Sequence, residues 1–199
     1  MKPDSFKTIS SLSEGIYKEK GSKFLSFAIP VKDLAEIKPI LDNYRKEYYD
    51  ARHVCYAYML GAERNEFRAN DDGEPSGTAG RPILGQINSF ELTNILVIVV
   101  RYFGGILLGT GGLITAYKEA AADAIRQAQI VDITVKDELI VRFDYPLMNE
   151  VMRIIKEFDA QIITQQFEAA CMIQISIPVK AAGAIHAKLE HIYGVMIEK

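Results

Sequence analysis

Residues 95–100 form an unbroken run of β-branched and aliphatic residues, Ile-Leu-Val-Ile-Val-Val. Such a run is typical of a strand that is buried on both faces. A strand covered on both sides needs a sizeable core, and a chain of 199 residues is long enough to build one, as one large domain or two small ones. We therefore expect a protein of the α+β class with this strand in its interior.

Two periodic patterns near the start of the chain predict a hairpin and a helix. Residues 15–31 alternate with period two around a turn at residues 20–22, which favours two paired strands. Asp33 and Glu36 then form a capping box, and apolar residues recur at helical spacing as far as Tyr48. The pattern predicts an amphipathic helix directly after the hairpin.

A second strand, predicted at residues 52–60, carries two side chains that matter chemically. Its alternation puts His53 and Cys55 on one face, where they could act as a nucleophile pair or as two metal ligands. Zinc needs four ligands, however, and Cys171 and the remaining histidines lack the usual pairwise spacing. We favour two core residues, because free cysteine is among the most buried residue types. The two cysteines lie far apart in sequence, so no disulfide is expected.

A glycine-rich segment joins the buried strand to a helix that we expect to begin at Leu113. The small residues of the segment are Gly104, Gly105, Gly109, Thr110, Gly111 and Gly112. Bare backbone N–H groups and the positive end of a helix would suit a phosphate or carboxylate. The segment is not a P-loop, because Thr110 stands where that motif has lysine, and Ile114 interrupts the dinucleotide-binding pattern.

The alternative interpretation of these glycines is structural, since glycine also permits close packing and positive φ. Taken alone, the glycines favour that alternative. Three polar residues around the segment, Arg101, Thr115 and Lys118, add weight to an anion site. Both interpretations stay open at this stage.

Residues 71–82 have the composition of a loop and contain an acidic cluster of Asp71, Asp72 and Glu74. The cluster could bind a cation, cap a helix near Ser76, or pair with Arg81 and Arg101. The calcium-loop pattern does not fit, and a solvated acidic turn is the commoner outcome, so we expect no metal. Ser76, which lacks the G-x-S-x-G context of a hydrolase nucleophile, and Thr78 remain secondary candidates together with His53.

A shift in composition near residues 132–137 indicates a domain boundary. We expect an amino-terminal domain at residues 1–134 and a carboxy-terminal domain at residues 135–199. The second part contains strand and helix patterns in the order βαββαβ, which is the ferredoxin-like order. The protein is therefore predicted to contain two domains.

Composition excludes several classes of protein. Hydrophobic residues make up 49% and charged residues 25%, which is not the composition of a disordered chain. The net charge of −3 excludes a strongly basic nucleic-acid binder, so any contact with nucleic acid must be local. No apolar run approaches the roughly 18 residues of a membrane span, and no secretory signal is evident. We expect a cytoplasmic protein without membrane contact.

Two long motifs resemble the IMPACT family, in its bacterial YigZ-like branch. They are Asp-Asp-Gly-Glu-Pro-Ser-Gly-Thr-Ala-Gly-Arg-Pro-Ile-Leu at residues 71–84 and Val-Arg-Tyr-Phe-Gly-Gly-Ile-Leu-Leu-Gly-Thr-Gly-Gly-Leu at residues 100–113. Residues 21–24 and 52–58 also resemble family segments. The resemblance covers essentially the whole chain.

The resemblance implies an amino-terminal α/β sandwich with the fold of the second domain of a small-subunit ribosomal protein, and a carboxy-terminal ferredoxin-like domain. This pair is similar to the last two domains of ribosomal translocation factors, which implies contact with RNA or the ribosome by analogy of fold. Eukaryotic relatives are linked to translational control. The resemblance thus implies a role near translation.

Our leading hypothesis is a non-catalytic binding protein with a cleft built from the acidic and glycine-rich motifs. Its anion contacts would be Arg81 and Arg101, with backbone N–H groups from the glycines and with Tyr102 and Phe103 available to stack on a base. We expect no cofactor. The predicted anion or nucleic-acid site comprises Arg81, Arg101, Tyr102, Gly104, Gly105, Gly109, Thr110, Gly111, Gly112 and Lys118.

Two rival hypotheses stay open, the first in the same cleft and the second in the carboxy-terminal domain. In the first, the protein is an enzyme that acts on a phosphorylated or carboxylated small molecule, with Asp71, Asp72 or Glu74 as acid/base or metal groups. In the second, the protein is a scaffold whose ferredoxin-like sheet contacts a protein partner.

Overall fold

A computed structural model of the chain describes residues 3–168 and 170–198. The fold is mixed α+β, and contacts between Cα atoms divide it into two compact units. The larger unit comprises residues 6–133, and the smaller one comprises the described residues of 1–5 and 134–199. Residues 3–5 were expected in the amino-terminal domain but belong to the smaller unit, because the carbonyl of Asp4 accepts a hydrogen bond from the Val135 N–H.

The larger unit is built on a five-stranded antiparallel sheet with β6 at its centre. The strand order is β2 (Ser13–Glu19), β3 (Ser22–Pro30), β6 (Ile95–Tyr102), β4 (His53–Leu60) and β5 (Glu66–Asn70). A separate two-stranded ribbon pairs β1 (Ser5–Ile9) with β7 (Ile130–Thr134). Residues 95–100 are fully buried, which confirms that this strand is covered on both faces.

Helices cover both faces of this sheet. Helix α1 (Leu34–Glu47) packs on one face, where its Ile37 and Leu41 meet the even-numbered side chains of β4. Helices α2 (Gly80–Ser89) and α3 (Gly109–Gln127) pack on the other face, against the odd-numbered side chains of β4, including Cys55. The predicted alternation of β4 is therefore confirmed.

The predicted hairpin and capping box are also confirmed. Lys20 and Gly21 have φ angles of 45° and 78°, as a two-residue turn between β2 and β3 requires. The Asp33 carboxylate accepts hydrogen bonds from the Ala35 and Glu36 N–H groups, and the Glu36 carboxylate accepts one from the Lys32 N–H.

Two helix boundaries differ from the sequence prediction. Residues 71–82 were expected to form a loop, but helix α2 already begins at Gly80. Helix α3 begins at Gly109, four positions before the expected start at Leu113, so that Gly109, Thr110, Gly111 and Gly112 lie in its first turn. The glycine-rich segment is thus partly loop and partly helix.

The smaller unit contains a four-stranded antiparallel sheet with the order β11-β8-β10-β9. Along the chain its elements are β8 (Lys136–Asp144), a short 3₁₀ turn (Tyr145–Leu147), α4 (Met148–Glu157), β9 (Gln161–Phe167), β10 (Ala170–Pro178), α5 (Val179–Glu190) and β11 (Met196–Glu198). Both helices pack on one core that includes Val141, Ile155, Ile173 and Ile185. The observed order of the main elements is βαββαβ.

A membrane-spanning helix needs about 20 apolar residues. Among residues 3–168 and 170–198, none of the helices has the length and apolarity for that role.

Candidate functional site

A cleft of about 440 Å³ lies in the larger unit where strand β4 begins and strand β6 ends, beside the start of α3. This volume is in the range of small-ligand sites. The cleft is lined by Arg52, His53, Gly73, Glu74, Pro75, Arg101, Phe103, Leu107, Leu108, Gly109, Thr110 and Leu113.

Glu74 is the buried acid of this cleft, with 3% of its side chain exposed. Its Oε1 atom accepts a 2.6 Å hydrogen bond from Arg101 Nη1 and a 2.7 Å hydrogen bond from the Tyr117 hydroxyl. His53 Nε2 lies 3.8 Å from the same oxygen. The sheet brings these groups together, because His53 and Arg101 are direct cross-strand partners in β4 and β6. Loop residues 71–79 then place Glu74 over them.

Asp71 holds this loop against the start of helix α2. Its carboxylate accepts hydrogen bonds from the N–H groups of Gly77, Ala79 and Gly80 at 2.8, 3.0 and 2.8 Å. Burial alone would raise the pKa of Asp71, but these three donors and the charge of Arg81 outweigh it and hold that pKa below its usual range. Asp71 therefore acts as a helix cap from a distance.

Asp72 ties the same loop to strand β4. Its Oδ2 atom accepts a hydrogen bond from the Val54 N–H at 2.7 Å, and its Oδ1 atom lies 3.5 Å from Arg45. The backbone carbonyl of Asp72 is 2.7 Å from His53 Nδ1. The acidic cluster is thus largely used in internal contacts. Within the described part of the chain, no group of three or more His, Cys, Asp or Glu residues could hold a metal ion.

Cys55 lies beneath the cleft, in the core. Its Sγ atom is 3.0 Å from the Asp71 carbonyl and 3.4 Å from the Tyr117 hydroxyl. Burial raises the pKa of the Cys55 thiol well above its ordinary value, and the hydrogen bond with Tyr117 offsets this only in part. Burial likewise raises the pKa of Tyr117, so its hydroxyl stays a proton donor to Glu74. The thiol is therefore poorly suited to be a nucleophile.

Arg101 is buried between two aromatic rings. Its guanidinium carbon is 5.6 Å from the Phe24 ring centre and 5.7 Å from that of Phe103, and Arg52 approaches the Phe103 ring to 5.9 Å. Cation–π contacts of this kind hold guanidinium groups in a fixed orientation. Considering only the residues that the structure describes, Arg101 Nε is buried and has no hydrogen-bond partner.

The start of α3 contributes its first two residues, Gly109 and Thr110, to the lining of the cleft. The first turn contains no acidic residue, and no side chain among the described residues caps it. The N–H groups of a first helical turn have no partners within the helix, and the helix dipole makes this end positive. The cleft therefore combines a positive helix end with arginine and histidine side chains.

The structure brings only part of the predicted site together. Of the predicted residues, the cleft is lined by His53, Glu74, Arg101, Gly109 and Thr110. The others lie outside its lining: Asp71, Asp72, Ser76, Thr78, Arg81, Tyr102, Gly104, Gly105, Gly111, Gly112 and Lys118.

Several of these outlying residues have structural contacts instead. The Tyr102 hydroxyl donates to Asp50, and Thr78 Oγ1 donates to the Pro75 carbonyl. Gly104 packs on the hairpin turn, where its N–H donates to Ser22 Oγ. The structural interpretation of the glycines thus holds for Gly104.

Sequence reasoning missed Arg52, which is exposed at the cleft rim, and Tyr117, which is the second donor to Glu74. Arg52 stands directly before the candidate His53, and that position at the start of a strand is the signal that could have identified it.

The region of the chain that matches a known protein family contains the whole cleft. The Impact N-terminal domain family matches residues 20–125, which include every residue of the cleft lining. The chain belongs to the IMPACT family. The IMPACT family member YigZ of Escherichia coli is 33% identical over 172 residues, covering 85% of this chain and 84% of the relative. Protein IMPACT of Oryctolagus cuniculus is 31% identical over 114 residues, covering 54% of this chain and 35% of the relative.

A solved crystal structure supports the two-unit architecture. A structure described as that of a hypothetical protein matches 98% of this chain and 97% of its own, with a TM-score of 0.73 and 29% identity. Agreement over nearly the full length of both chains shows that the two units occur together in a related protein.

Proposed function

We propose that this IMPACT-family chain is a binding protein that acts near translation by holding a phosphate group of RNA in the cleft. The observation that carries the proposal is the convergence of Arg52, Arg101, His53 and the positive end of α3 on one small volume. Arginine side chains and helix N-termini both bind phosphate oxygens well, the first through bidentate charged hydrogen bonds and the second through free backbone N–H groups.

Local charge favours an anion here although the whole chain has a net charge of −3. The carboxylate of the lining, Glu74, is paired with the Arg101 guanidinium and accepts a hydrogen bond from the Tyr117 hydroxyl. Arg52 is exposed at the rim, where it can meet a ligand. The positive field is confined to the cleft, which agrees with local rather than extended contact with nucleic acid.

The size and lining of the cleft favour single-stranded RNA. About 440 Å³ accommodates a single nucleotide rather than a duplex. Phe103 is 41% exposed at the edge of the cleft and offers a ring on which a base can stack.

The fold gives additional support. The strand order β11-β8-β10-β9 with both helices on one core fits a ferredoxin-like domain. The larger unit would then correspond to the ribosomal-protein-like domain that the family resemblance implies, and the pair would contact the ribosome by analogy of fold. Binding of a protein partner through the smaller unit stays a prediction.

The proposal is tested by measuring RNA affinity at several salt concentrations. Fluorescence anisotropy reports binding of a ten-nucleotide RNA that carries a 5′-phosphate and a 3′-label. Affinity should fall as salt rises, and Arg52→Gln should weaken binding about tenfold, the effect of one charged phosphate contact. Arg126→Gln is the matched control, because Arg126 is an exposed arginine in the last turn of α3. Absence of binding at low salt to RNA and to ribosomes alike would contradict the proposal.

A second candidate function is an enzyme that acts on a phosphorylated or carboxylated small molecule in the same cleft. The observation that favours it is the approach of His53 Nε2 to Glu74 at 3.8 Å, which places two groups able to transfer protons at the cleft wall. A thermal-shift screen of metabolites tests it, since a ligand at 100 times its Kd should stabilise the protein by about 2.7 kcal/mol. A hit that is chemically converted by the wild type but not by His53→Gln, with the variant shown to be folded by its thermal unfolding, would favour the enzyme.

A further inference from the structure

His53 is held in one tautomer at the wall of the cleft. Its Nδ1 atom is 2.7 Å from the carbonyl oxygen of Asp72, and a carbonyl only accepts, so Nδ1 carries a hydrogen. The second ring nitrogen, Nε2, is then left for the cleft. In neutral imidazole that nitrogen has a lone pair, and in imidazolium it is a donor.

The charged groups around His53 make the two forms very different. From the loop, the Glu74 carboxylate lies 3.8 Å from Nε2, while the Asp72 carboxylate is directed to the Val54 N–H and to Arg45. From β6, Arg101 contributes its guanidinium, and from α3, Tyr117 donates its hydrogen bond to Glu74. Arg52 precedes His53 in sequence. A neutral ring would direct its lone pair towards Glu74 and any incoming anion, whereas imidazolium would attract both.

A second observation points to a ligand in this place. Arg101 is 5% exposed and lines the cleft, and among the described residues its Nε finds no acceptor. Buried donors are nearly always paired in folded proteins, with protein or with ordered water. An oxyanion in the cleft would bring negative charge beside this guanidinium.

With His53 protonated, the charge count of the lining favours one class of anion. Arg52, Arg101 and a protonated His53 set against Glu74 leave two net positive charges, whereas a neutral His53 leaves one. A phosphate monoester carries close to two negative charges near neutral pH, while an internal phosphodiester of RNA carries one. The protonated cleft therefore matches a terminal phosphate.

We propose that the cleft binds a terminal phosphate group through the imidazolium form of His53, and that it takes up a proton as it does so. The inference rests on the proposed function in that the cleft is an anion site. It adds the class of ligand, a phosphate monoester of a nucleotide or of an RNA end, and a pH-dependent affinity.

Calorimetry with inorganic sulfate isolates the protonation of the protein, because sulfate stays a dianion throughout pH 5.5 to 8. We expect the affinity of the wild-type protein for sulfate to be about tenfold higher at pH 5.5 than at pH 8. At the lower pH a charged N–H donor of His53 replaces the lone pair of the neutral ring. Titrations in buffers of different ionisation enthalpy should show net proton uptake at intermediate pH. This wild-type measurement does not depend on any variant folding correctly.

Two substitutions test the residue. His53→Asn can keep the hydrogen bond to Asp72 but has no group at the Nε2 position, and His53→Gln offers a neutral donor there. Both should bind sulfate with an affinity that does not change with pH. A pH dependence that persists in both variants, or wild-type binding without proton uptake, would overturn the inference and leave RNA binding through Arg52 intact.

Three further ligands identify the source of the phosphate. Uridine 5′-monophosphate, a 5′-phosphorylated RNA and the same RNA with a 5′-hydroxyl are compared at pH 6. Both phosphorylated ligands should bind at least fivefold more tightly than the hydroxyl RNA, and preference for the longer one would indicate an RNA end. Equal binding of the two RNAs, or no binding of sulfate and nucleotide at any pH, would overturn the monoester assignment.

Discussion

Glu74 and Arg101 form a buried ion pair in which Arg101 Nη1 donates to Glu74 Oε1 over 2.6 Å. The side chains are only 3% and 6% exposed, and the Tyr117 hydroxyl donates to the same oxygen. Both residues line the cleft, and Tyr117 belongs to the core of the larger unit. Breaking the pair should therefore affect both the stability of this unit and the charge that a ligand would meet.

Removing the carboxylate should destabilise the larger unit strongly. Glu74→Gln leaves the Arg101 charge buried without its counterion, which typically costs about 3 kcal/mol or more. The control is Glu91→Gln, which breaks the exposed pair of Glu91 with Lys7 and should cost less than about 1 kcal/mol. Urea denaturation measures both. Equal effects would show that the buried pair contributes no more than a surface contact.

The cap formed by Asp71 should make stability depend on pH in the acidic range. Because its pKa is lowered in the folded state, its contribution is present above the unfolded value of 3.8 and is lost as the pH falls through the folded value. At pH 7, Asp71→Asn should lose about 1–2 kcal/mol, as for other helix caps. The difference from wild type should shrink below about pH 4. Asp42→Asn, on the exposed side of α1, is the control, and a constant difference at all pH values would contradict this role.

Two glycines of the same motif should respond in opposite ways to alanine. A Cβ atom at Gly104 would lie 1.9 Å from the backbone carbon of Gly21, so Gly104→Ala must displace the hairpin turn, at about 1–3 kcal/mol. Gly111 is helical, and no described atom outside its local backbone lies within 4 Å of an added Cβ. Gly111→Ala should therefore stabilise the protein by about 0.5–1 kcal/mol. Thermal unfolding compares them, and a loss of stability in both would show that the first turn of α3 is more crowded than described.

Cys55 should be unreactive in the folded protein. Burial raises the pKa of its thiol, and only the thiolate reacts with alkylating reagents. At pH 7.5 we expect iodoacetamide to modify Cys55 at least roughly 100-fold more slowly in native protein than in urea, because reaction requires local opening. Peptide mass spectrometry separates its modification from that of Cys171. Rapid native modification of Cys55 would instead support a nucleophile at the cleft.

Local sequence rules predicted the elements whose signals are contiguous. The alternation of residues 53–60 placed Cys55 and Tyr56 on opposite faces, and Asp33 was identified as a cap because it stands directly before its helix. Helix α2 was foreseen only as one alternative, a helix near Ser76 capped by the acidic cluster, because its cap, Asp71, acts across eight and nine residues on Ala79 and Gly80. The usual search for a capping side chain directly before the first helical residue does not detect so distant a cap.

The candidate site was only partly predictable for a related reason. The motifs contained Glu74 and Arg101, which lie 27 positions apart in sequence. The other donor to Glu74, Tyr117, lies 43 positions away from it. Arg81 and Lys118 were included for their charge and lie outside the cleft lining. Which cations face the cleft depends on the packing of α2 and α3 on the sheet, and periodicity does not specify that packing.

A crystal soaked with sulfate at pH 5.5 tests the central claim most directly, because it locates the anion. We predict density for one sulfate within hydrogen-bond distance of His53 Nε2, the Arg52 guanidinium and the N–H groups of Gly109 and Thr110. Density found only beside exposed cations outside the cleft, such as Arg81 or Lys118, with the cleft holding water alone, would contradict the assignment of an anion site.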